Sequence, residues 1–474
     1  MVCREDWSAA RGTTMRAVTR ARRLPNWRRE ALRTTLWFVP ALLIVVAALI
    51  FVVTFSIDAA AFSNHIQLPT WLRNGTPESG RDVLIAIAAA IITVVGVVFS
   101  ITILALTLAS QQFGPRMMRS FVRDVGNQVT LGVFVATFTY SVLALGSITI
   151  YPHAGFAPYL TIAVAEFMML VDVVVLIYFI NHIAASIQLP AVIAGIARDL
   201  DSAIDSEFPV AESKDAAPLN PRNDIAKELT VSELLRTIEE RGGEVLAAKS
   251  GYLQYVGYQQ LAKIAKLVDA TIRLEYRPGH FIVAGRPVAR VFPRGAAPQV
   301  EKALAKAHVT GPHRTLTQDP VFAIDQLVEI AIRALSPAVN DTFTALTCLD
   351  WISSGLCRLS GRELTERVFR DDEGRVRLIG ADWSYPKMVN RAFDKIRQAA
   401  RGMPAVIIRL LDSLSVVVRA TTSAEQREVL MRQGEMVHRS ALESVAEPND
   451  LDDIQSHFEV LVRAVTTMNH PDVP

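Results

Sequence analysis

Four stretches of this chain are long and apolar enough to cross a bilayer, which limits the fold more than any other feature. Residues 36–57, LWFVPALLIVVAALIFVVTFSI, carry no charge and exceed the ~20 residues a helix needs to span hydrocarbon. A second uncharged run covers 83–109; a third apolar run covers 128–151 and a fourth 157–180. A spanning segment must satisfy its backbone internally, so these runs predict helices. The first run is too long for a signal peptide, and its basic leader, residues 1–35, is also too long; it reads as a retained anchor. The expectation is a polytopic α-helical membrane protein with a four-helix transmembrane domain over 36–182.

Orientation follows from arginine. Nine arginines precede the first run, and Arg116, Arg119 and Arg123 lie between the second and third. Beyond the first run, Arg73 and Arg81 are balanced by Asp58, Glu78 and Asp82, and the third loop has no Lys or Arg. The positive-inside rule then places both termini in the cytoplasm. The leader reads as a topology signal that could also meet anionic headgroups. In SQQFGPRMMRSFVRD, residues 110–124, the three arginines have helical spacing and are candidates to touch lipid headgroups.

Polar residues inside the runs are the first candidate site. Glu166 and Asp172 sit mid-way along the fourth, where a carboxylate costs roughly 2.5–3.5 kcal/mol even on the lenient scale. With His182 at the helix end, they line a proton or cation path or are buried acids bonded to neighbouring helices. Thr93, Ser100 and Thr107 recur every seventh residue, with Gly96 beside them. That stripe lines a pore or lets helices pack closely, and homo-oligomerisation is expected under either reading.

The remaining sequence is richer in charge. Every lysine lies beyond residue 213, and acids and bases there nearly balance, which gives no nucleic-acid surface. An amphipathic helix over 183–208 presents Ile193, Ile196, Leu200 and Ile204 on one face and continues the fourth span. A linker follows at 209–223. Residues 224–296 read as a small α/β element, in which IRLEYRPGHFIVAGRPVARVF resembles half of a biotinyl/lipoyl-type sandwich without its carrier lysine. Residues 297–474 favour helix, apart from a hairpin turning at Glu373-Gly374. The fold class expected is four transmembrane helices followed by a cytoplasmic α+β domain, mostly helical with a small β element.

Cys3, Cys348 and Cys357 are too few and too scattered for a disulfide framework. The sequence has no P-loop, no G-x-G-x-x-G after a strand, no H-E-x-x-H and no nucleophile elbow. Neither a catalytic residue, a cofactor nor a metal site is expected.

One segment interrupts helical periodicity: IRALSPAVNDTFTALTCLDWI, residues 332–352. Pro337 ends one helix at Ser336, and Asn340 or Asp341 can cap the next, which starts at Thr342. The same helix start could receive an anion or metal. Arg314, Gln318, Asp319, Asp325 and Arg333 lie upstream as residues that could return to it. The segment QDPVFAIDQLVEIAIRALSPAVNDTFTALTCLD, with SQQFGPRMMRSF, VLIYFINHIAASIQ and GYLQYVGYQQLAKIAKLVDATIRLEYRPGHFIVAGRPVARV, resembles a bacterial family of predicted membrane proteins, domain of unknown function 2254. The resemblance covers nearly all of the chain after residue 35 and implies the topology above without an assigned activity. Ala338 and Thr342 stand where that family usually has Gly and Pro, and Asn181-His182 where paired histidines are common. Two functions are carried forward: an ion channel or transporter gated by its cytoplasmic domain, and a tethered module that binds a cytoplasmic ligand.

Overall fold

The computed structural model describes residues 37–63, 69, 76–113, 124–150, 157–186, 188–208, 231–362, 364 and 367–469. Arg116, Arg119 and Arg123, the basic leader and the 209–223 linker lie outside these residues. Four helices are long and apolar enough to span a membrane: α1 (Phe38–Phe62), α2 (Pro77–Phe113), α3 (Val125–Ile150) and α4 (Tyr159–Ser186). The chain divides into two compact units, 1–92 with 122–172 and 93–121 with 173–474. That division cuts α2 and α4.

In the first unit α1 lies along α3. A Cβ on Gly132 would fall 2.6 Å from Leu43 Cδ1 and 3.1 Å from Pro40 Cα, so only glycine permits this approach. Farther along, Thr54 meets Tyr140, and the two pairings together show the helices running the same way. α1 ends later than the first apolar run. Asp58, counted with the following loop on charge alone, is a buried residue inside this helix.

In the second unit, the chain beyond the fourth span continues with α5 (Leu189–Glu207). The expected continuation of α4 does not occur. Pro190 lacks the donor for a through-running helix and sits in the first turn of a new one, preceded by the extended Gln188. Ile193, Ile196, Leu200 and Ile204 are buried as the periodicity predicts, and each contributes roughly 1.5–3 kcal/mol. They pack on α9 (Pro320–Ala334) and α10 (Thr342–Ser360), Leu200 lying over Gly355, where a Cβ would be 2.4 Å from Leu200 Cδ2. α11 (Tyr385–Ala399), α12 (Pro404–Ala420), α13 (Ala424–Leu442) and α14 (Pro448–Asn469) complete this helical core.

The β element draws on more chain than 224–296. After α6 (Val231–Arg241), the chain forms β1 (Gly243–Leu246), β2 (Gly251–Val256), α7 (Tyr258–Leu267), β3 (Thr271–Leu274), β4 (Phe281–Ile282) and β5 (Pro287–Phe292). α8 (Ala297–Ala307) leads into β6 (His308–Gly311), and the hairpin β7 (Val368–Arg370) and β8 (Val376–Ile379) returns later. One sheet has the order β1-β5-β3-β8-β7 and the other β4-β2-β6. Pairing is antiparallel except where β8 joins β3 in parallel, Ile272 opposite Leu378. Gly374 takes the hairpin turn with φ +81°, a backbone glycine adopts without strain.

Candidate functional site

Within the first unit, the start of α4 is capped from α1. Asp58 accepts hydrogen bonds from Leu160 N (3.0 Å), Thr161 N (2.9 Å) and the Thr161 hydroxyl (2.8 Å). These N–H groups have no intrahelical partner, so one carboxylate answers the helix end. Beside it the Tyr140 hydroxyl donates to the Thr161 carbonyl (3.1 Å) and lies 2.9 Å from the Thr54 hydroxyl. Sequence reading missed this cluster. Its one signal was an acid at the very end of an apolar run.

Asp172 has the opposite surroundings. It is 1% exposed, and neither carboxylate oxygen has a hydrogen-bond partner among the described residues. Thr137, facing it from α3, donates its hydroxyl to the Val133 carbonyl at 3.2 Å. Asn127, Thr130, Thr137 and Ser141 repeat along one face of α3, all buried. The side-chain amide of Asn127 and the hydroxyl of Ser141 also lack partners among the described residues. This polar face was not singled out in the sequence, where a Thr or Ser every few residues is hard to tell from ordinary composition.

The other intramembrane candidates lie elsewhere. Glu166 is exposed, whereas Asp172 is buried, in accord with the angle between them on one helix. Thr93, Gly96, Ser100 and Thr107 share an exposed face of α2. Ser100 bonds the Gly96 carbonyl (2.8 Å) and Thr107 the Ile103 carbonyl (2.9 Å), so their hydroxyls are satisfied by their own helix. His182 is half-buried and stacks on Tyr178 with centroids 5.3 Å apart.

In the second unit the interrupted segment divides its candidates between the two ends of α9. Ser336 donates to the Arg333 carbonyl (2.7 Å), and the amides of Asn340 and Asp341 bond Ser336 O (2.9 Å) and Ala334 O (2.8 Å). Asp341 caps α10, accepting from Thr344 N (3.1 Å) and its hydroxyl (2.6 Å), just before Thr342. Asn340 has φ +51°, a left-handed conformation that asparagine tolerates. Arg314 and Asp325 meet near the other end of α9, about 16 Å away along its axis. There Arg314 pairs with Asp319 (2.7 Å) and Asp325 (2.5 Å), and Arg391 also pairs with Asp325. Asp319 is fully buried and caps α9 through Phe322 N; burial raises its carboxyl above the usual range against the pull of Arg314.

A groove of about 1160 Å³ lies close to this network, bounded by the end of α5, the start of α7, β7 and Trp383. Glu207 and Arg367 form its charged wall, 3.0 Å apart. Burial outweighs that pairing and pushes Glu207 up to about 7. Tyr258, buried and stacked on Phe369, is pushed up to about 12. Gln318 fixes the groove edge by bonding both backbone groups of Val256. Glu207 and Arg367 went unmarked in the sequence because they lie 160 residues apart.

Comparison with known proteins agrees with the membrane helices. A family model described as "Predicted membrane protein (DUF2254)" matches residues 33–415. Uncharacterized proteins of Mycobacterium bovis and Mycobacterium tuberculosis are each 32% identical over 383 residues, covering 79% of this chain and 71% of theirs. No solved structure matches.

Proposed function

The chain belongs to the DUF2254 family of predicted membrane proteins, and from that premise we propose that it is a homo-oligomeric ion channel or transporter of the bacterial inner membrane. Its cargo is a proton or small cation that passes by way of Asp172. Both termini and the part of the chain beyond the spans lie in the cytoplasm in this reading, which the arginine distribution supports.

The observation that carries it is the buried Asp172, which has no ion-pair partner among the described residues and only the Thr137 hydroxyl facing it. A buried carboxyl in a span needs a proton, a cation, water or a protein partner beside it, and one with so little protein around it to bond suits an exchange site. The polar face from Asn127 to Ser141 extends the site over about 21 Å of helix, most of a ~30 Å hydrocarbon layer. Glu166 on an exposed face is stable only against protein or water, and a second copy is the partner proposed there. Proton flux into liposomes should be present in wild type, lost in Asp172→Asn and retained in Ser100→Ala. Equal flux in wild type and Asp172→Asn overturns the reading.

The groove beside Glu207 and Arg367 favours a second reading, in which the spans tether a cytoplasmic ligand-binding module.

A further inference from the structure

A cluster of charge on the second unit is left unbalanced. Arg277, Arg314, Lys387 and Arg391 all act on His280, and the carboxylates among them are Asp319 and Asp325. Both acids are committed: Asp319 to Arg314 and the start of α9, Asp325 to Arg314 and Arg391. Arg277 and Lys387 have no side-chain hydrogen bond or ion pair among the described residues. Arg277 feels Asp319 without pairing with it and Lys387 is exposed, so the cluster carries two more positive charges than negative ones.

We infer that Arg277, His280 and Lys387 form a receptor for a small phosphate-bearing dianion, with the Arg314–Asp319–Asp325–Arg391 network holding them in place. Arg277 is set for the task. Its guanidinium lies over the Trp383 ring, 3.9 Å from the centroid, which orients a planar fork of the kind that meets two phosphate oxygens. The turn that carries it is pinned as well. Gly279 has φ +92°, and a Cβ there would fall 2.1 Å from Asp319 Oδ2, so the Arg277-Pro278-Gly279-His280 turn rests directly on the buried acid. His280 senses the same field: burial first, then the four cations, hold its imidazole down to about 4. It is thus a neutral donor at physiological pH. A planar fork, a point charge and a neutral donor suit a tetrahedral dianion better than a single carboxylate. The dianion's source is a soluble phosphate ester or a lipid headgroup. This inference is independent of the ion path through Asp172.

The test is thermal stabilisation of the full-length protein by inorganic phosphate at pH 7.5, in nanodiscs of neutral lipid. Wild type and Lys302→Gln, which removes an exposed charge on α8, should show a saturable rise in Tm. Arg277→Gln and Lys387→Gln should each bind roughly ten- to a hundredfold more weakly, as expected when one charge-assisted contact is lost. Equal phosphate response in all four proteins, or none in wild type, overturns the inference. Should Arg277→Gln not fold, Lys387→Gln carries the test alone. Repeating the titration in nanodiscs containing phosphatidic acid separates the sources. Loss of the phosphate response there assigns the site to a headgroup, and an unchanged response assigns it to a soluble ester.

Discussion

Asp58 and Thr161 are 103 residues apart in sequence, yet one Asp58 oxygen accepts both the backbone N–H (2.9 Å) and the hydroxyl (2.8 Å) of Thr161. The contact ties the end of α1 to the beginning of α4. Asp58→Ala leaves the Leu160 and Thr161 amides bare and should destabilise the first unit by about 2–3 kcal/mol. Asp58→Asn, which keeps an acceptor, should cost less. Thermal unfolding in detergent reads the difference, and an Ala variant as stable as wild type would count against the cap.

Gly132 and Gly96 make a contrasting pair. Alanine at 132 drives its Cβ into Leu43 and the Pro40 backbone, whereas a Cβ at 96 meets nothing within 4 Å. Gly132→Ala should lose about 1–3 kcal/mol, and Gly96→Ala should leave the detergent-solubilised monomer unchanged. The same unfolding assay compares them; a larger loss at 96 than at 132 would refute the packing of α1 on α3.

The interrupted helix predicts a backbone effect. Asn340→Gly should be neutral, because glycine accepts φ +51° freely, while Asn340→Val should cost roughly 1–3 kcal/mol. Asp341→Ala removes the α10 cap and should cost about 1 kcal/mol. Chemical denaturation of the full chain checks the order Val worse than Gly.

Buried Glu207 and half-buried His280 give stability opposite pH dependences. Glu207 is raised from 4.5 to about 7, so between those values the folded state binds more protons than the unfolded chain. Its contribution to stability is therefore lost as pH rises through that window. His280 is lowered from 6.5 to about 4; the unfolded chain then binds more protons, and stability is lost as pH falls through 6.5 toward 4. In a Tm series from pH 4 to 8, Glu207→Gln should flatten the decline on the alkaline side and His280→Gln the decline on the acid side. Curves parallel to wild type would contradict both assignments.

Hydropathy made the four helices legible because a bilayer demands long uninterrupted apolar runs. Local chemistry likewise exposed the Asp341 cap and the Gly374 turn. Partners brought together by tertiary structure were not legible. Asp58 looked like a loop acid because Thr161 is invisible to a reading of its neighbours. The parallel pairing of β3 with β8 links residues over 100 positions apart, so the β element looked smaller than it is. Pro190 was a legible break that the continuing apolar face of Ile193 and Ile196 concealed. Arg314 and Asp325 were grouped with Asn340 by closeness in sequence, but the length of α9 keeps them apart.

The central claim is that Asp172 exchanges a proton or cation within the membrane, and charge movement on a solid-supported bilayer tests it most directly. Proteoliposomes would be exposed to steps in pH, then in Na⁺ and K⁺, comparing wild type with Asp172→Asn and Glu166→Gln. The account predicts a transient current for wild type that Asp172→Asn abolishes and Glu166→Gln leaves in place. Currents of equal size in wild type and Asp172→Asn would contradict it.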